Sequence, residues 1–305
     1  MLDIEVKENF EIKNYTTFKI GGVVKKIFLP KTQAEMVYLL NNEKNWLVLG
    51  NCSNLLFSSS GYDGNIILTT QMKDFEIRGT KVIAACGVKG PILAQKTCEQ
   101  SLSGFEFMIG FPGTIGGEVY MNASAHGQAI SDSLVYCCLY DNEKKEILYK
   151  QKNEMEFSYR HSILQGGRYI LLYAEFNLKK SSQEEIKALV ERNLEFRKSI
   201  QPSLVTPNAG SVFKNPPNDS AGRLLDKACA KQLQAKNVEV WQKHANFITN
   251  KGGATSEEVL LLMYEMYKLV KDAYTIELEP EIIFVGKKNK KEEELCKILY
   301  KKIQK

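Results

Sequence analysis

The segment NAGSVFKNP (208–216) places a serine, a lysine and an asparagine between a glycine and a proline. Polar side chains packed this closely on a stiff loop are typical of a segment that contacts a ligand. Ser211 fits poorly as a nucleophile, because the segment has no GxSxG pattern and no histidine. The interpretations that remain for Ser211 are a proton donor and a turn residue.

Two glycine-rich loops lie in the first half of the chain. GNCSNLLF (50–57) directly follows the apolar run WLVL, and the second loop is GFPGTIGGEVYMNASAHG (110–127). The second loop combines glycines with polar side chains, namely Gly113, Thr114, Gly116, Gly117, Asn122 and Ser124. Glycines let the backbone approach a ligand closely, and backbone amides together with side-chain donors form an anion-binding concavity. A single loop of this kind is often structural, but two in one domain favour a pyrophosphate-binding site.

The common nucleotide and metal motifs do not occur in the sequence. Neither loop carries the lysine and Ser/Thr of a Walker A motif, and neither fits a GxGxxG that opens a helix. The seven cysteines are scattered without a CxxC pair, and the three histidines form no HExxH pattern. We therefore expect the phosphates to be bound by a fold other than these nucleotide-binding folds. We also expect the cysteines to be reduced and mostly buried, and no metal site to be present.

Composition indicates a globular protein, because 44% of the 305 residues are hydrophobic and 25% are charged. This length suits about two domains. The N-terminus is charged from its third residue, and no apolar run approaches the ~20 residues that span a bilayer. We expect a cytoplasmic protein without membrane contact. The lysines of the tail KKNKKEEELCKILYKKIQK (287–305) alternate with glutamates, which predicts a solvated terminal helix rather than a nucleic-acid-binding arm.

Capping boxes and apolar periodicity predict a mixture of helices and strands. Helices are expected over TQAEMVYLLNNEK, PILAQKTCEQS, QEEIKALVERNLEFRKS, AGRLLDKACA and TSEEVLLLMYEMYKLVKDA. Strands are expected over WLVLG, which should be buried, and over GNIILTT, FEIR, KVIAACGV, SLVYCCLYD, KKEILYK, YILLYAEFNL and TIELEPEIIFVG, with strand and turn over VEVWQKHANFITN. The chain is therefore predicted to be mixed α/β, of the α+β class. PSLVTPN (202–208) is the best candidate for a domain boundary.

Seven short segments occur in the order and rough spacing of one enzyme family. They are TTFKIGG, GNCSNLLF, GFPGTIGG with MNASAHG, SYRHS, NAGSVFKNP, HANFITN and LEPEI. On these segments, from Thr16 to Gly286, the chain resembles the UDP-N-acetylenolpyruvoylglucosamine reductase (MurB) family in its shorter subtype. The resemblance implies FAD-dependent reduction of UDP-N-acetylglucosamine enolpyruvate to UDP-N-acetylmuramate with NADPH, a step in peptidoglycan precursor synthesis.

The resemblance also implies a domain organisation. An FAD-binding domain is expected over 1–200, made of two α+β subdomains at about 1–68 and 69–200. A smaller α+β substrate-binding domain follows over 201–286, and 287–305 forms the lysine-rich tail. FAD should be bound non-covalently, a UDP-sugar should be the partner, and a monomer that binds no nucleic acid is expected.

Three residues take catalytic positions by resemblance. Arg160 of SYRHS and Glu281 of LEPEI are placed beside the developing enolate, and Ser211 is placed as the proton donor. A guanidinium suits this role because it can hold a carboxylate through two parallel hydrogen bonds. A carboxylate beside an anion fits only if Glu281 is protonated or is neutralised by Arg160. Without the resemblance, nothing would favour Glu281 over Glu279 or Glu277.

The resemblance further implies two sets of ligand contacts. The cofactor-binding residues are expected to be Gly50, Asn51, Cys52, Ser53, Asn54, Gly113, Thr114, Gly116, Gly117, Asn122 and Ala123. The substrate-binding residues are expected to be Tyr159, Lys214, Asn215 and His244.

The sequence departs from the family at four places. Cys52 and Ser124 stand where glycine is usual, His126 where tyrosine is common, and Trp241 in place of a small residue. These departures affect the expected fit of the cofactor and the packing of the second domain. Two other functions stay open: a flavin oxidoreductase with a related FAD domain and another small substrate, and a sugar-nucleotide-binding protein without catalysis.

Overall fold

The computed structural model describes residues 3–301, which form an α+β fold. The helices are α1 Gln33–Asn42, α2 Gly90–Glu99, α3 Ile115–Tyr120, α4 Ile130–Ser133, α5 Gln183–Ile200, α6 Ala221–Lys227, α7 Ser256–Tyr274 and α8 Lys290–Leu299. The strands are β1 Glu5–Glu11, β2 Val23–Leu29, β3 Trp46–Leu49, β4 Leu55–Phe57, β5 Tyr62–Leu68, β6 Phe75–Arg78, β7 Lys81–Ala85, β8 Leu102–Ser103, β9 Ser124–Ala125, β10 Gln128–Ala129, β11 Leu134–Asp141, β12 Glu146–Gln151, β13 Tyr169–Asn177, β14 Lys179–Lys180, β15 Val238–Val240, β16 Ile248–Asn250 and β17 Ile283–Val285. This architecture confirms the predicted fold class.

The described residues group into two compact units. Unit 1 comprises 3–7, Lys26–Asn51 and Gly64–Arg197, and unit 2 comprises Glu8–Lys25, Cys52–Asp63 and 198–301. The domain limits expected from the sequence, 1–200, 201–286 and 287–305, stay a prediction.

Unit 1 is built on a five-stranded antiparallel sheet in the order β12-β11-β13-β7-β6. Its central strands β11 and β13 are largely buried, which explains their nearly continuous apolar sequences. Phe105 packs edge-on against Phe176 with ring centroids 5.1 Å apart. The fully buried Tyr140 keeps its hydroxyl satisfied by donating to Asn41 Oδ1 at 2.6 Å. A second sheet has the order β1-β2-β5-β3, with β3 parallel to β5.

Helix starts in unit 1 follow the sequence signals. Thr32 caps α1 by accepting a hydrogen bond from Glu35 N at 3.1 Å, while Glu35 Oε2 accepts from Lys31 N. Pro91 lies in the first turn of α2, where its missing N–H costs nothing. The predictions of these two helices are confirmed, although α1 ends at Asn42, short of the predicted end.

Unit 2 is organised around α7. Thr255 and Glu258 form the predicted capping box at its start. The apolar stripe predicted from helical spacing is fully buried in the core: Val259, Leu262, Met263, Met266 and Val270. Strand β15 packs against α7 and pairs with β16 in an antiparallel hairpin, and the parallel pair β4-β17 also lies in unit 2.

Three sequence predictions need correction. TIELEPEIIFVG is not one strand, because its only named strand is β17. Before β17, Pro280 forms an isolated bridge with Phe213, and without an amide hydrogen it cannot donate to a continuous ladder. In β3, predicted to be buried, Leu49 alone is buried, and the other three residues are partly exposed. The C-terminal helix α8 exists but is not wholly solvated, because Leu295, Cys296 and Leu299 are buried in the core of unit 2.

The cysteines agree with the prediction. All seven are free thiols within the described residues, and five of them are buried.

Candidate cofactor and catalytic site

The two glycine-rich loops contribute to one cradle in unit 1. Gly50 directly follows β3 and lies close to Thr114 of the second loop. A Cβ atom on Gly50 would lie 2.2 Å from Thr114 Oγ1. Asn51 Nδ2 donates to Pro112 O at 2.5 Å. A glycine at position 50 is therefore required for the two loops to approach each other.

The second loop is fixed by backbone hydrogen bonds to its neighbours. Ile115 N donates to Val88 O at 2.9 Å and Gly116 N donates to Cys86 O at 2.8 Å. A Cβ on Gly116 would lie 3.0 Å from Cys86 O, so this close approach also needs a small residue. Gly117 lies in the first turn of α3, and Ala123 N donates to Glu118 O at 2.8 Å after the helix. The cradle is thus held in shape by the main chain.

Buried polar atoms test whether the cradle fits a dinucleotide. Thr114 Oγ1 and Asn122 Oδ1 are buried, and neither has a hydrogen-bond partner among the described residues. Buried polar atoms in native proteins nearly always have partners, so such atoms beside a glycine-rich loop are expected where a ligand completes the site. The residues present therefore fit a phosphate-bearing cofactor.

The SYRHS turn is fastened to this cradle within unit 1. Asn122 Nδ2 donates to Ser158 O at 3.0 Å, and Arg160 Nη1 donates to Ser124 Oγ at 3.0 Å. Arg160 has a left-handed backbone with φ of 56°, and its carbonyl accepts from Gln165 Nε2 at 2.9 Å. Ser124, the departure from the usual glycine, thus positions the predicted catalytic arginine.

Tyr159 lies beside Arg160 on the same turn. Its side chain is half exposed, and the guanidinium carbon of Arg160 lies 5.2 Å from the centroid of its ring. The residue predicted to bind substrate is therefore stacked with the predicted catalytic cation.

Ser211 and Glu281 come together in unit 2. Ser211 is bridged to Phe247, and the next residue, Val212, accepts a hydrogen bond from Glu281 N at 2.8 Å. Asn54 Nδ2 donates to Glu281 O at 3.0 Å. The structure thus joins three segments that are far apart in sequence: the first glycine-rich loop, NAGSVFKNP and LEPEI.

The backbone beside Ser211 is held by Asn246, which sequence reasoning did not select. Asn246 O accepts from Val212 N at 2.9 Å, and its side chain bonds both Phe213 N and Phe213 O. Asn246 lies in HANFITN, so its membership in a motif was the available signal.

Lys214 is paired within the same region of unit 2. Its Nζ forms an ion pair with the Glu279 carboxylate, and its amide donates to Glu279 O at 2.9 Å. Asn215 Oδ1 accepts from Ala221 N at the start of α6. Glu279 is therefore a missed neighbour of the site, distinguishable in sequence only by its place two residues before Glu281.

His244 has a structural environment. Its Nδ1 accepts from Asn246 N at 3.2 Å, its ring packs edge-on against Phe247, and a Cβ on Gly222 would lie 2.6 Å from its Cε1. Burial lowers the pKa of His244 below its usual value, and the charge of Lys231 lowers it further. His244 is therefore neutral near pH 7.

The remaining loop residues also lie in unit 2. Cys52 is buried with φ of 51°, a conformation that favours glycine, which explains why glycine suits this position. Burial raises the pKa of the Cys52 thiol to about 12, so it stays neutral. Ser53 O lies 3.9 Å from the Cβ position of Gly210, directly before Ser211. Thr17 Oγ1 donates to Asn208 O at 2.7 Å at the start of the NAGSVFKNP segment.

Within residues 3–301, no group of three or more His, Cys, Asp or Glu side chains is arranged to hold a metal ion. None of the described helices combines the length and the apolar composition that crossing a bilayer requires.

Comparison with known proteins decides the family. The family model of an FAD binding domain matches residues 25–142. The family model of the UDP-N-acetylenolpyruvoylglucosamine reductase C-terminal domain matches residues 201–285. The reductase of that name from Caldicellulosiruptor saccharolyticus is 40% identical over 291 residues, covering 93% of each chain. The chain belongs to the UDP-N-acetylenolpyruvoylglucosamine reductase family.

Further relatives agree with this membership. The UDP-N-acetylenolpyruvoylglucosamine reductase of Bacillus pumilus is 38% identical and covers 93% of this chain and 95% of its own. The crystal structure of the Thermus caldophilus enzyme, MurB, superposes with a TM-score of 0.80 at 30% identity, over 93% of this chain and 99% of that one. The predicted family and the predicted FAD cofactor are confirmed.

Proposed function

We propose that this member of the MurB family reduces UDP-N-acetylglucosamine enolpyruvate to UDP-N-acetylmuramate, with FAD as cofactor and NADPH as hydride donor. The observation that carries the proposal is the match along almost the whole chain to relatives named for this reduction. Both domain models match in the expected order, so the substrate domain supports the proposal as well as the FAD domain.

The cradle residues would hold FAD. The residues proposed for this contact are Gly50, Asn51, Cys52, Ser53, Asn54, Gly113, Thr114, Gly116, Gly117, Asn122 and Ala123. When bound, FAD supplies the hydride that reaches the terminal carbon of the enolpyruvyl group. Main-chain fixation of the second loop supports this role, because a preformed anion cradle loses little entropy on binding.

Arg160 is proposed to bind the carboxylate of the enolpyruvyl group. Negative charge grows on the carbon beside that carboxylate during reduction, and a fixed guanidinium lowers the energy of that charge. Its hydrogen bond to Ser124 Oγ supports the proposal, because a positioned cation stabilises charge without reorganising. Tyr159 is proposed to contact the substrate from the same turn.

Ser211 is proposed to donate the proton that completes the reduction. Serine is a weak acid, but the carbon it protonates is strongly basic once hydride has arrived, so placement matters more than acidity. The backbone bonds around Val212 support this role because they fix the segment that carries the hydroxyl. Glu281 is proposed to act with Arg160 on the developing enolate. Its backbone is held by the hydrogen bond from Asn54 Nδ2 to Glu281 O and by the one from Glu281 N to Val212 O. Lys214, Asn215 and His244 are proposed to contact the sugar nucleotide.

The test uses the purified full-length protein. It should be yellow with flavin absorbance, and UDP-N-acetylglucosamine enolpyruvate should accelerate its oxidation of NADPH and form UDP-N-acetylmuramate. UDP-N-acetylglucosamine, which lacks the enolpyruvyl group, is the matched control. Equal rates with and without the enolpyruvyl substrate would overturn the proposal. Size-exclusion chromatography with light scattering tests the predicted monomer.

A further inference from the structure

Glu118 is a buried carboxyl directly beneath the cofactor loop. It lies in α3, and only 3% of the residue is exposed. A Cβ on Gly90 would lie 2.1 Å from Glu118 Oε1, and one on Gly113 would lie 3.1 Å from the same oxygen. The carboxyl therefore fills the space that these two glycines leave on the inner side of the GFPGT turn.

Within residues 3–301, the Glu118 carboxyl has no hydrogen-bond partner. Both of its oxygens are buried without a partner among the described residues. The adjacent start of α2 cannot supply one, because Gly90 N donates to Gly113 O, Pro91 has no N–H and Ile92 N donates to Lys89 O. An ionised carboxylate in this position would be desolvated and uncompensated, which strongly favours the neutral acid.

The charge of Glu118 is controlled by burial rather than by neighbouring groups. The titratable residues on the elements packed against α3, on α3 itself and at the start of α2 are Lys81, Lys89, Tyr120, Asp132, Tyr169, Tyr173 and Glu175. Desolvation is nevertheless the cause of the shift, and it raises the pKa of Glu118 to about 8. The carboxyl is therefore protonated in the folded protein at neutral pH.

The neighbours of Glu118 belong to the FAD cradle. Glu118 N donates to Thr114 O at 2.8 Å, and Ala123 N donates to Glu118 O. Gly113 O, beside the carboxyl, accepts the hydrogen bond from Gly90 N that closes the turn. If the carboxyl ionised, it would need water or a cation, and the turn would have to open to admit either.

We propose that Glu118 is a positioning residue that maintains the FAD-binding turn only as a neutral acid, so that FAD binding is linked to one proton on this carboxyl. The inference rests on the FAD cofactor of the family and concerns cofactor retention, not the reduction of the sugar nucleotide. An ionised Glu118 would also weaken cofactor binding, because its negative charge would lie behind a loop that must bind the negatively charged diphosphate.

The experiment measures FAD retention by the full-length holoprotein. Free flavin fluorescence on serial dilution gives the dissociation constant between pH 6.5 and pH 9, while circular dichroism monitors folding. We expect the dissociation constant of the unmodified protein to be constant below pH 8 and to rise by up to about tenfold per pH unit above it. Glu118→Gln, which keeps the shape of a neutral acid, should retain FAD equally at every pH.

Glu106→Gln is the matched control. Glu106 is also buried in unit 1, with Oε1 lacking a partner among the described residues, but its Oε2 accepts from Gly104 N. This variant should keep the pH dependence of the unmodified protein. If Glu118→Gln does not fold, Glu118→Ala serves the same comparison, since Ala leaves room beside Gly90 and Gly113.

A dissociation constant that does not change between pH 6.5 and pH 9 would overturn the proposal, as would a Glu118 variant that keeps the original slope. Protein that retains FAD with the expected slope but does not reduce the enolpyruvyl substrate would support this inference while contradicting the proposed function. Protein that binds no FAD at any pH would contradict both.

Discussion

The hydroxyl of Ser124 joins the second glycine-rich loop to the side chain of Arg160, the proposed catalytic cation. It accepts a hydrogen bond from Arg160 Nη1, while Asn122 on the same loop holds Ser158 on the SYRHS turn. These side-chain hydrogen bonds join the two turns, and the bond to Ser124 is one of the contacts that orient the guanidinium.

Ser124→Ala should therefore slow reduction of the enolpyruvyl substrate without releasing FAD. Losing one hydrogen bond to a charged group costs ~1.5 kcal/mol, or about tenfold in turnover. Steady-state kinetics measure the turnover, and absorbance measures the flavin content. Ser133→Ala is the control, because the Ser133 hydroxyl is buried without a partner among the described residues. Unchanged turnover in Ser124→Ala would show that Arg160 does not depend on this bond.

Ser211→Ala should keep bound FAD and its reduction by NADPH, because the change removes only the proposed proton donor. Formation of UDP-N-acetylmuramate should fall by about 10²–10⁴-fold, the usual contribution of a general acid. Stopped-flow absorbance separates flavin reduction from product formation. Ser203→Ala, in the exposed linker, should behave like the unmodified protein. Full product formation in Ser211→Ala would remove Ser211 as the donor.

Glu118 should make the stability of the FAD-free protein depend on pH. Burial raises its folded-state pKa to about 8 from the ordinary value of 4.5, so between these values the unfolded chain has lost a proton that the folded chain keeps. Stability should therefore fall as pH rises through this window, by up to about 1.4 kcal/mol per unit. Denaturant unfolding at pH 5, 6 and 7 measures the slope. Glu118→Gln should reduce the slope by that amount, and an identical slope would contradict the assignment.

At the scale of elements, local sequence signals were sufficient where a helix carries its own cap. Thr32, Ser182 and Thr255 each accept a hydrogen bond from the amide three residues on, as their capping signals predict. Asn289, which sequence reasoning did not select, does the same at the start of α8. The helices that begin at these caps need no tertiary contact to define their starts. Short strands such as β4 and β17 have no such signal, because their pairing joins residues more than two hundred positions apart.

Thr255→Ala should destabilise unit 2 by about 1 kcal/mol, since it removes the cap of its central helix. The loss should be seen in the free energy of unfolding from denaturant titration followed by circular dichroism. Lys268→Ala, an exposed substitution within α7, should leave the value nearly unchanged. A cap that contributes nothing would give equal stabilities for the two variants.

At the scale of the molecule, the C-terminal helix belongs to the core of unit 2. Leu295, Cys296 and Leu299 are buried there, and Tyr300 donates to Ile282 O at 2.8 Å. The buried Glu292 also accepts a hydrogen bond from Ser256 Oγ at the start of α7. The lysine-rich composition of the tail led to the prediction of a solvated helix, because only a few apolar residues form the buried face of α8.

Truncation after Lys288 should therefore destabilise unit 2. Each buried apolar side chain of α8 contributes roughly 1.5–3 kcal/mol, so the loss should exceed that of the Thr255 cap. Thermal unfolding and limited proteolysis measure the effect. The control removes only 302–305, which lie outside the described residues. If the longer truncation melts at the same temperature as the control, α8 is dispensable for stability.

The sequence by itself determined the α+β class, the starts of the capped helices, the buried stripe of α7 and, through seven ordered segments, the family. These properties depend on local hydrogen bonds, helical periodicity and motif order, all of which are present in a linear chain. The tertiary structure alone decided that Asn54 holds Glu281, that Ser124 holds Arg160 and that the Glu118 carboxyl is buried beneath the cofactor turn without a hydrogen-bond partner in the part of the chain that the structure describes. Such contacts depend on chain reversals and on the exclusion of water, and no spacing between residues encodes either.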